Sequence, residues 1–310
     1  MEVGIVIGNM TRRRTTSGGS WGFVEGDEIV PGRIALQHLG TSRTYDVYAA
    51  FDEHLLAVVA VKLIRRDRLG DAAVRSSLAR EGELLRSIQH PAIPRCFDAV
   101  DGDRPHLAME LIEGPRLSTL IRRQRSLGPE QILPLALQAC AAVHFLHSQQ
   151  LVHLDVKPKN VVMAPSPMLI DLSIANTVER AATLRGPIGT DAYMAPEQCG
   201  VYGHGAIGPA ADVWGIGITL YEAATGKLPF GARRPGVRMD DRFRQLAGRP
   251  MTPLPRDVPA DLATAVGAAL APSPDDRPTA AEFASSLGAD FDGLPDRVRL
   301  GTARVSWRRR

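Results

Sequence analysis

The sequence is poor in lysine and cysteine and has no long apolar run. Only four of its 37 basic residues are lysines, namely Lys62, Lys157, Lys159 and Lys227. The three cysteines, Cys96, Cys140 and Cys199, are too few and too widely spaced for a disulfide framework or a cysteine metal site. No apolar stretch approaches the roughly 18 residues of a membrane span, and the VGIVIG patch is too short for a signal peptide. We therefore expect a soluble cytoplasmic protein.

The remaining composition is that of an ordinary globular protein. A chain of 310 residues with 44% hydrophobic and 23% charged residues can bury a sizeable core, as one large domain or two lobes. The net charge of +3 is concentrated at the ends, with RRR at 12–14 and WRRR at 307–310. Because no basic run is interleaved with aromatic residues, we interpret these ends as solvated tails and expect no nucleic acid partner.

The pattern of apolar residues predicts a small β-rich part followed by a larger helical part. Residues 33–64 alternate and are rich in β-branched and aromatic residues, which predicts three strands. Residues 71–88 have a helical apolar face that ends at the prolines of HPAIP, and a strand pair follows at about 95–112. Further helices are predicted at 129–149, 209–225, 260–271 and 278–287.

These elements predict an α+β fold with two lobes. The small N-lobe spans 33–112, and the mainly helical C-lobe spans 113–288. Residues 1–32 are expected to form a flexible N-terminal extension, and residues 289–310 a basic C-terminal tail.

Six polar residues occur in an order that suits phosphoryl transfer. That reaction needs cations on the phosphates, oxygen ligands for a metal ion and a carboxylate that orients the attacking hydroxyl. The six are Lys62, Glu81, Asp155, Lys157, Asn160 and Asp171. In a chain that uses arginine almost everywhere, Lys62 and Lys157 indicate sites that require a compact ammonium group. We interpret Lys159 and Lys227 as ordinary surface charges and His153 as a packed residue.

Six motifs carry a resemblance to a known family. They are VAVK at 59–62, HLDVKPKN at 153–160, DLS at 171–173, GTDAYMAPE at 189–197, DVWGIG at 212–217 and DRP at 276–278. In this order the chain resembles the eukaryotic-type Ser/Thr protein kinases that also occur in bacteria, over about 33–288. The resemblance implies a two-lobed protein-kinase-like fold, with a small antiparallel sheet and one helix in the N-lobe. It also implies the use of ATP and Mg²⁺, with Mn²⁺ as a substitute.

The resemblance gives each matching residue a role. Lys62, paired with Glu81, would contact the α- and β-phosphates, and Asp155 would orient the substrate hydroxyl. Lys157 would neutralise the γ-phosphate, which favours Ser/Thr transfer, and Thr190 would bridge Asp155 and Lys157. The metal ligands would be Asn160 and Asp171. The nucleotide would lie against Gly40, Ser42, Val47, Ala60, Lys62, Met109, Glu110, Ile112 and Val162.

Two contacts of the helical lobe are implied as well. Asp212 would hold the backbone of the catalytic loop from a buried helix. Glu197 would form a structural ion pair with Arg277.

Three features depart from the family pattern. The phosphate-covering loop at 39–47 has Ser42 and Tyr45 where glycines let backbone N–H groups approach phosphate, so we expect a raised KM for ATP. Ser173 replaces the glycine of the metal-binding motif and is expected to restrict the backbone there. Leu154 replaces the arginine that pairs with a phosphorylated activation loop. We therefore hypothesise that activity does not depend on that phosphate bridge.

Three functions remain open at this point. The complete set of six polar residues favours an active Ser/Thr protein kinase, whereas the lost glycines and Ser173 favour a pseudokinase that serves as a scaffold. A small-molecule phosphotransferase of related fold is disfavoured by GTDAYMAPE and DVWGIG, which resemble a platform for protein substrates. The expected partners are proteins that present Ser or Thr, including a second copy of the chain. Candidate autophosphorylation sites are Thr15, Thr16, Thr177 and Thr183.

Overall fold

The computed structural model describes the chain in several ranges that form two compact units. The ranges are 18–200, 204–231, 242–247, 251–255 and 258–287, with the backbone alone of 297–300 and 303–306. The first unit comprises Met1–Ala79 and Phe97–Leu111. The second comprises Arg80–Cys96 and Ile112–Arg310.

The first unit is built on a six-stranded sheet. Its strands are β1 Glu28–Val30, β2 Arg33–Thr41, β3 Tyr45–Asp52, β4 Ala57–Ile64, β5 Cys96–Val100 and β6 His106–Glu110, in the spatial order β1-β2-β3-β4-β6-β5. The three strands predicted in 33–64 are confirmed as β2, β3 and β4, which pair antiparallel. Aromatic and β-branched side chains fill one face of this sheet, and Tyr48, Val59 and Val61 are at most 1% exposed. The register places Val47 opposite Lys62.

The segment that precedes the sheet packs on it through Trp21. The Trp21 indole N–H donates to the Ile64 carbonyl at 2.9 Å, and the Trp21 backbone N–H donates to the buried Asp46 carboxylate at 3.1 Å. The Trp21 ring stacks on Phe23 at 5.6 Å, and the Arg104 guanidinium lies over both rings. Of the extension expected over 1–32, residues 1–17 lie outside the described residues. The remainder makes these contacts and contributes β1, because its two aromatic rings bury apolar surface that the sequence pattern did not register.

The second unit is mainly helical. The helices of the described residues are α1 Ala72–Ser87, α2 Leu117–Gln124, α3 Pro129–Ser148, α4 Val178–Thr183, α5 Pro209–Thr225, α6 Ala260–Ala269 and α7 Ala280–Ser285. The boundary between the units falls within α1. The five predicted helices are confirmed, whereas α2 and α4 were not predicted because each is only two turns or shorter. Helices α3 and α5 are apolar around most of their circumference and form the core. Within the described ranges no helix is long and apolar enough to cross a membrane.

Short strands flank the loops of the second unit. They are β7 Leu151–Val152, β8 Val161–Val162, β9 Met168–Leu169 and β10 Asn176–Thr177, with β7 paired to β10 and β8 paired to β9. The region expected as a C-terminal tail contains an antiparallel pair, β11 Arg297–Leu300 and β12 Ala303–Ser306.

A buried ion pair joins two distant segments of the second unit. Arg277 donates to both Glu197 carboxylate oxygens at 2.7 and 2.9 Å, and both side chains are 0% exposed. The remaining guanidinium N–H groups donate to the carbonyls of Ala210, Ala271 and Pro272. All five donors of Arg277 are therefore used, as a buried charge requires. The pair implied by the resemblance is present.

Candidate active site

Asp155 lies in the loop between β7 and β8 of the second unit, where three side chains meet. Its Oδ1 accepts a hydrogen bond of 2.8 Å from the Thr190 hydroxyl. Its Oδ2 accepts from the Lys157 ammonium, whose Nζ also donates to Thr190 Oγ1 at 2.6 Å. The side chains of Asp155 and Lys157 are 13% and 14% exposed, so the carboxylate is fixed in place yet still open to a reactant. The bridge by Thr190 that the resemblance implied is present.

Asn160, which the resemblance implied as a metal ligand together with Asp171, lies beside Asp155. Asn160 Nδ2 donates to the Asp155 backbone carbonyl at 3.0 Å and to its Oδ2 at 3.2 Å, which leaves the amide oxygen of Asn160 for another partner. The Ile170 N–H donates to the Asn160 carbonyl at 2.8 Å. Because Asp171 is the next residue in the chain, its backbone lies close to that of Asn160. Asp171 has a φ of +72°, an uncommon value for a non-glycine residue.

The donor set of Asn160 and Asp171 fits Mg²⁺. Carboxylate and amide oxygens are the ligands that this ion prefers, and it commonly keeps only one or two protein ligands beside water and substrate phosphates. In the described part of the chain no group of three or more His, Cys, Asp or Glu side chains could hold a metal. A cation between Asn160 and Asp171 would therefore complete its shell with phosphate and water oxygens.

The backbone of the catalytic loop is anchored by Asp212 on α5. The Asp212 carboxylate, which is buried, accepts hydrogen bonds from the His153 N–H at 2.8 Å and the Leu154 N–H at 2.7 Å. It also contacts His147 Nε2 at 3.0 Å. His153 is fully buried, and its Nδ1 accepts from the Asp155 N–H at 3.2 Å, in agreement with a packed histidine. Asp212 thus makes the contacts with the catalytic-loop backbone that the resemblance implied.

Leu154 has a left-handed backbone, and Gln198 holds it there. Leu154 has a φ of +66° and is only 3% exposed, a combination that costs free energy for a residue with a side chain. The Gln198 amide donates to the Leu154 carbonyl at 2.8 Å and to the Ile188 carbonyl at 3.0 Å. The Gln198 amide oxygen accepts from the Ala195 N–H at 3.0 Å. Gln198 therefore connects the catalytic loop to the segment that carries Thr190.

A second pair beside the site joins Tyr193 to α5. The Tyr193 hydroxyl donates to Glu222 Oε2 at 2.6 Å, and the Tyr193 N–H donates to the Thr190 carbonyl at 2.8 Å. Burial raises the pKa of Tyr193, and the nearby Glu222 carboxylate raises it further. Burial also raises the pKa of Glu222, although the hydrogen bond from Tyr193 counteracts part of that rise.

In the first unit, Lys62 is buried within the sheet beside Tyr45. Lys62 is 5% exposed, and its Nζ lies 4.5 Å from the centroid of the Tyr45 ring, within the range of a cation–π contact. Tyr45 thus occupies a glycine position of the family with a ring that faces the lysine. This ring was not anticipated from the sequence, where only the loss of glycine was considered.

The turn between β2 and β3 is closed by Ser42. The Ser42 hydroxyl accepts hydrogen bonds from the N–H groups of Thr44 and Tyr45 and lies 3.2 Å from the Tyr45 carbonyl. The Ser42 N–H donates to that carbonyl at 2.8 Å. The hydroxyl of Ser42, a residue that the resemblance places against the nucleotide, is thus engaged inside the turn.

The remaining predicted nucleotide residues divide between the units. Gly40, Val47, Ala60, Met109 and Glu110 belong to the first unit, where β4 pairs with β6 so that Ala60 is opposite Met109. Ile112 and Val162 belong to the second unit. Glu81, on α1, is 2% exposed and also belongs to the second unit.

Sequence reasoning missed Gln198, Tyr193 and Glu222. A signal for Gln198 and Tyr193 existed, because both lie in or directly after GTDAYMAPE, the segment that also supplies Thr190. Glu222 follows DVWGIG by five residues on the same helix, so only the helix register could have located it.

Comparison with known proteins agrees with this geometry. The model of the family described as protein kinase domain matches residues 34–287. The Ser/Thr-protein kinase PkaA of Streptomyces coelicolor is 34% identical over 244 residues, which are 76% of this chain and 44% of that protein. PknB of Mycobacterium tuberculosis, also named a Ser/Thr-protein kinase, is 30% identical over 274 residues, which are 83% of this chain and 42% of that protein.

A third relative extends the same comparison. PknA of Mycobacterium tuberculosis is 31% identical over 254 residues, which are 78% of this chain and 57% of that protein. The chain thus spans about half the length of the curated relatives it matches. Because the family model covers most of the chain, the chain belongs to the protein kinase domain family.

Proposed function

We propose that this chain is a Ser/Thr protein kinase that transfers the γ-phosphate of Mg·ATP to Ser or Thr hydroxyls of proteins. The observation that carries the proposal is the Asp155 carboxylate, held at one oxygen by the Thr190 hydroxyl and at the other by the Lys157 ammonium. The similarity to the Ser/Thr-protein kinases PkaA and PknB supports the same activity.

Each group at the site has a task in this reaction. Asp155 accepts the hydrogen bond of the substrate hydroxyl and takes its proton as the hydroxyl oxygen bonds to the γ-phosphorus and the bond to the ADP oxygen breaks. Lys157, fixed by Asp155 and Thr190, supplies positive charge to the transferring phosphoryl group. A divalent cation bound by Asn160 and Asp171 would neutralise phosphate charge. Mg²⁺ is the ion we propose, with Mn²⁺ as a substitute.

The remaining expectations stay part of the proposal. Lys62, paired with Glu81, would contact the α- and β-phosphates, and the cytoplasm is the proposed location. Thr177 and Thr183 are both exposed and are candidates for modification by a second copy. Thr15 and Thr16, the other two candidates, lie outside the described residues.

The test is transfer of radiolabelled γ-phosphate by the purified protein, both to itself and to a generic basic protein. The matched control is Asp155→Asn, which keeps the shape of the side chain and removes the base. We expect transfer by the wild-type chain and its loss in the variant. If the wild-type chain binds nucleotide but transfers no phosphate, the catalytic proposal is wrong and the scaffold function of a pseudokinase is the better description.

A further inference from the structure

A groove with basic walls lies in the second unit between α2 and the end of α5. Its lining includes Ile121, Arg122 and Arg125 on one side and Glu222, Thr225 and Lys227 on the other. Arg122, Arg125 and Lys227 are exposed. Glu222, the one carboxylate of the described lining, is engaged by the Tyr193 hydroxyl.

The backbone brings the two walls of this groove together. Arg125 and Gly226 both have a left-handed backbone, with φ of +69° and +67°. A Cβ atom at Gly226 would lie 2.0 Å from the Arg125 carbonyl oxygen, so only glycine permits this approach. The Leu127 N–H also donates to the Ala223 carbonyl at 2.8 Å. The backbone segments that carry Arg125 and Lys227 are therefore held beside each other, and both residues line the groove.

The groove is connected to the catalytic carboxylate on two sides. On the α5 side, Glu222 binds Tyr193, and the Tyr193 N–H binds the carbonyl of Thr190, whose hydroxyl binds Asp155. On the α2 side, Arg116 at the start of the helix donates to the Lys159 carbonyl at 3.2 Å. Lys159 is four residues from Asp155, and its exposed ammonium adds a positive charge to the catalytic loop.

The three cations of the groove lining, Arg122, Arg125 and Lys227, have no carboxylate partner among the described residues, and neither has Lys159 of the catalytic loop. The helix dipole accounts for Arg122 in the last turn of α2 and for Arg125 at its C-cap, but not for Lys159 or Lys227, which lie outside that helix. Two of the four lysines of the whole chain thus occur here, in a protein that otherwise uses arginine. A set of unpaired like charges around a groove attracts an anionic ligand.

We propose that this groove binds an anionic flank of the protein substrate, so that the enzyme prefers Ser or Thr residues with acidic side chains nearby. The inference rests on the proposed kinase function and specifies its substrate class. The anionic group is a carboxylate or a phosphorylated hydroxyl, since both match ammonium and guanidinium donors. Lys159 and Lys227, interpreted from sequence as ordinary surface charges, become determinants of specificity.

The experiment compares the kcat/KM of the full chain on synthetic peptides with one central Ser. Asp residues are placed at successive positions on either side, and matched peptides have Asn, Arg or phosphoserine there. We expect acidic flanks on one side to raise kcat/KM about tenfold over the Asn peptide, chiefly through KM, and added salt to reduce that preference. Arg122→Ser combined with Lys227→Ser should abolish most of the preference. Arg123→Ser, on α2 but outside the groove lining, should retain it.

The outcomes separate this inference from the function on which it rests. A wild-type chain that phosphorylates Asn and Arg peptides as well as the acidic ones overturns the groove assignment but supports the kinase. A preference that persists in the double variant also overturns it. A preference for the phosphoserine peptide alone supports the groove with phosphate as its ligand. If no peptide and no generic protein is phosphorylated, the kinase proposal itself is wrong and the inference falls with it.

Discussion

At the scale of single residues, the site depends on strained backbone at Leu154 and Asp171. Both are non-glycine residues with positive φ, and such conformations persist only where surrounding contacts determine them. For Leu154 those contacts are the Asp212 carboxylate on its N–H and the Gln198 amide on its carbonyl. The motifs in the sequence predicted that Asp155, Lys157, Asn160 and Thr190 lie together. They did not predict this strain, because backbone angles are set by partners that are 44 and 58 residues distant.

The first prediction concerns Gln198→Glu. The substitution keeps the size of the side chain but removes the N–H donors to the Leu154 and Ile188 carbonyls. Each carbonyl would then lack a hydrogen-bond partner, at a cost in stability of about 1–3 kcal/mol. We expect kcat to fall at least about tenfold while the KM for ATP changes little. Steady-state kinetics measures both, and thermal unfolding checks that the chain is folded. Unchanged kcat would show that Gln198 does not position the loop.

The second prediction concerns the KM for ATP and the residues that replace glycine. Tyr45→Gly removes the ring that faces Lys62 and frees backbone N–H groups for phosphate, so we expect a lower KM for ATP with a similar kcat. Ser42→Gly should act in the same direction, although it also removes the hydroxyl that closes the turn. Tyr45→Phe keeps the ring and is the matched control. An unchanged KM in both glycine variants would contradict the expectation.

At the scale of elements, long periodic segments were predicted and short ones were not. Helices α3 and α5 are long and apolar, so periodicity identifies them, whereas α2 and α4 have eight and six residues and are stabilised by their surroundings. The missed α2 is one wall of the basic groove. The sequence therefore did not predict the element on which the proposed substrate preference depends.

The third prediction belongs to α4, the helix after β10. The double substitution Thr177→Ala and Thr183→Ala should leave activity largely intact, because Leu154 offers no cation to a phosphate on this segment. Thr177 is also the N-cap of α4, where its hydroxyl accepts the Arg180 N–H at 3.2 Å, so its loss destabilises that helix by about 1 kcal/mol. Radiolabel transfer to a generic protein is the measurement.

Thr177→Ser combined with Thr183→Ser is the control for the cap, since serine retains both the hydroxyl and the capacity for phosphorylation. Loss of activity in the alanine protein alone, with folding intact, would show that phosphorylation of this helix is required after all.

At the scale of the whole molecule, the first unit has its own buried polar network. Arg33 donates to Asp52 at 2.7 Å and to Asp98 at 3.1 Å, and its Nη1 lies 2.7 Å from His106 Nε2. Since arginine only donates, His106 Nε2 accepts there, and its Nδ1–H donates to the Arg104 carbonyl at 2.8 Å. The network joins strands β2, β3, β5 and β6 and requires a neutral imidazole.

The fourth prediction follows from the pKa of His106. Burial lowers this pKa. At pH values just below the ordinary histidine pKa, the unfolded chain therefore binds the proton more readily than the folded chain does. The contribution of neutral His106 to the free energy of unfolding is complete at pH values above its pKa in the unfolded chain. It is lost as the pH falls toward its pKa in the folded chain. We expect the free energy of unfolding to decrease from pH 7 to pH 5, by at most about 1.4 kcal/mol per pH unit for this group.

The pH dependence is measured by urea unfolding of the wild-type chain and of His106→Gln, whose amide can still accept from Arg33. The variant should show a weaker dependence on pH. The exposed His54→Gln is the control and should behave as the wild-type chain does. Identical pH profiles for wild type and His106→Gln would contradict the assignment.

The contacts of Trp21 have a practical consequence for handling this protein. The family match begins at residue 34, and a domain cut there would lack Trp21 and Phe23. The Trp21 indole N–H donates to the Ile64 carbonyl, its backbone N–H donates to Asp46, and the Phe23 ring lies 5.6 Å from Tyr48. Such a shortened chain would expose an apolar face to chaperones and proteases during expression. A recombinant kinase domain that begins at or before residue 18 keeps these contacts of Trp21 and Phe23.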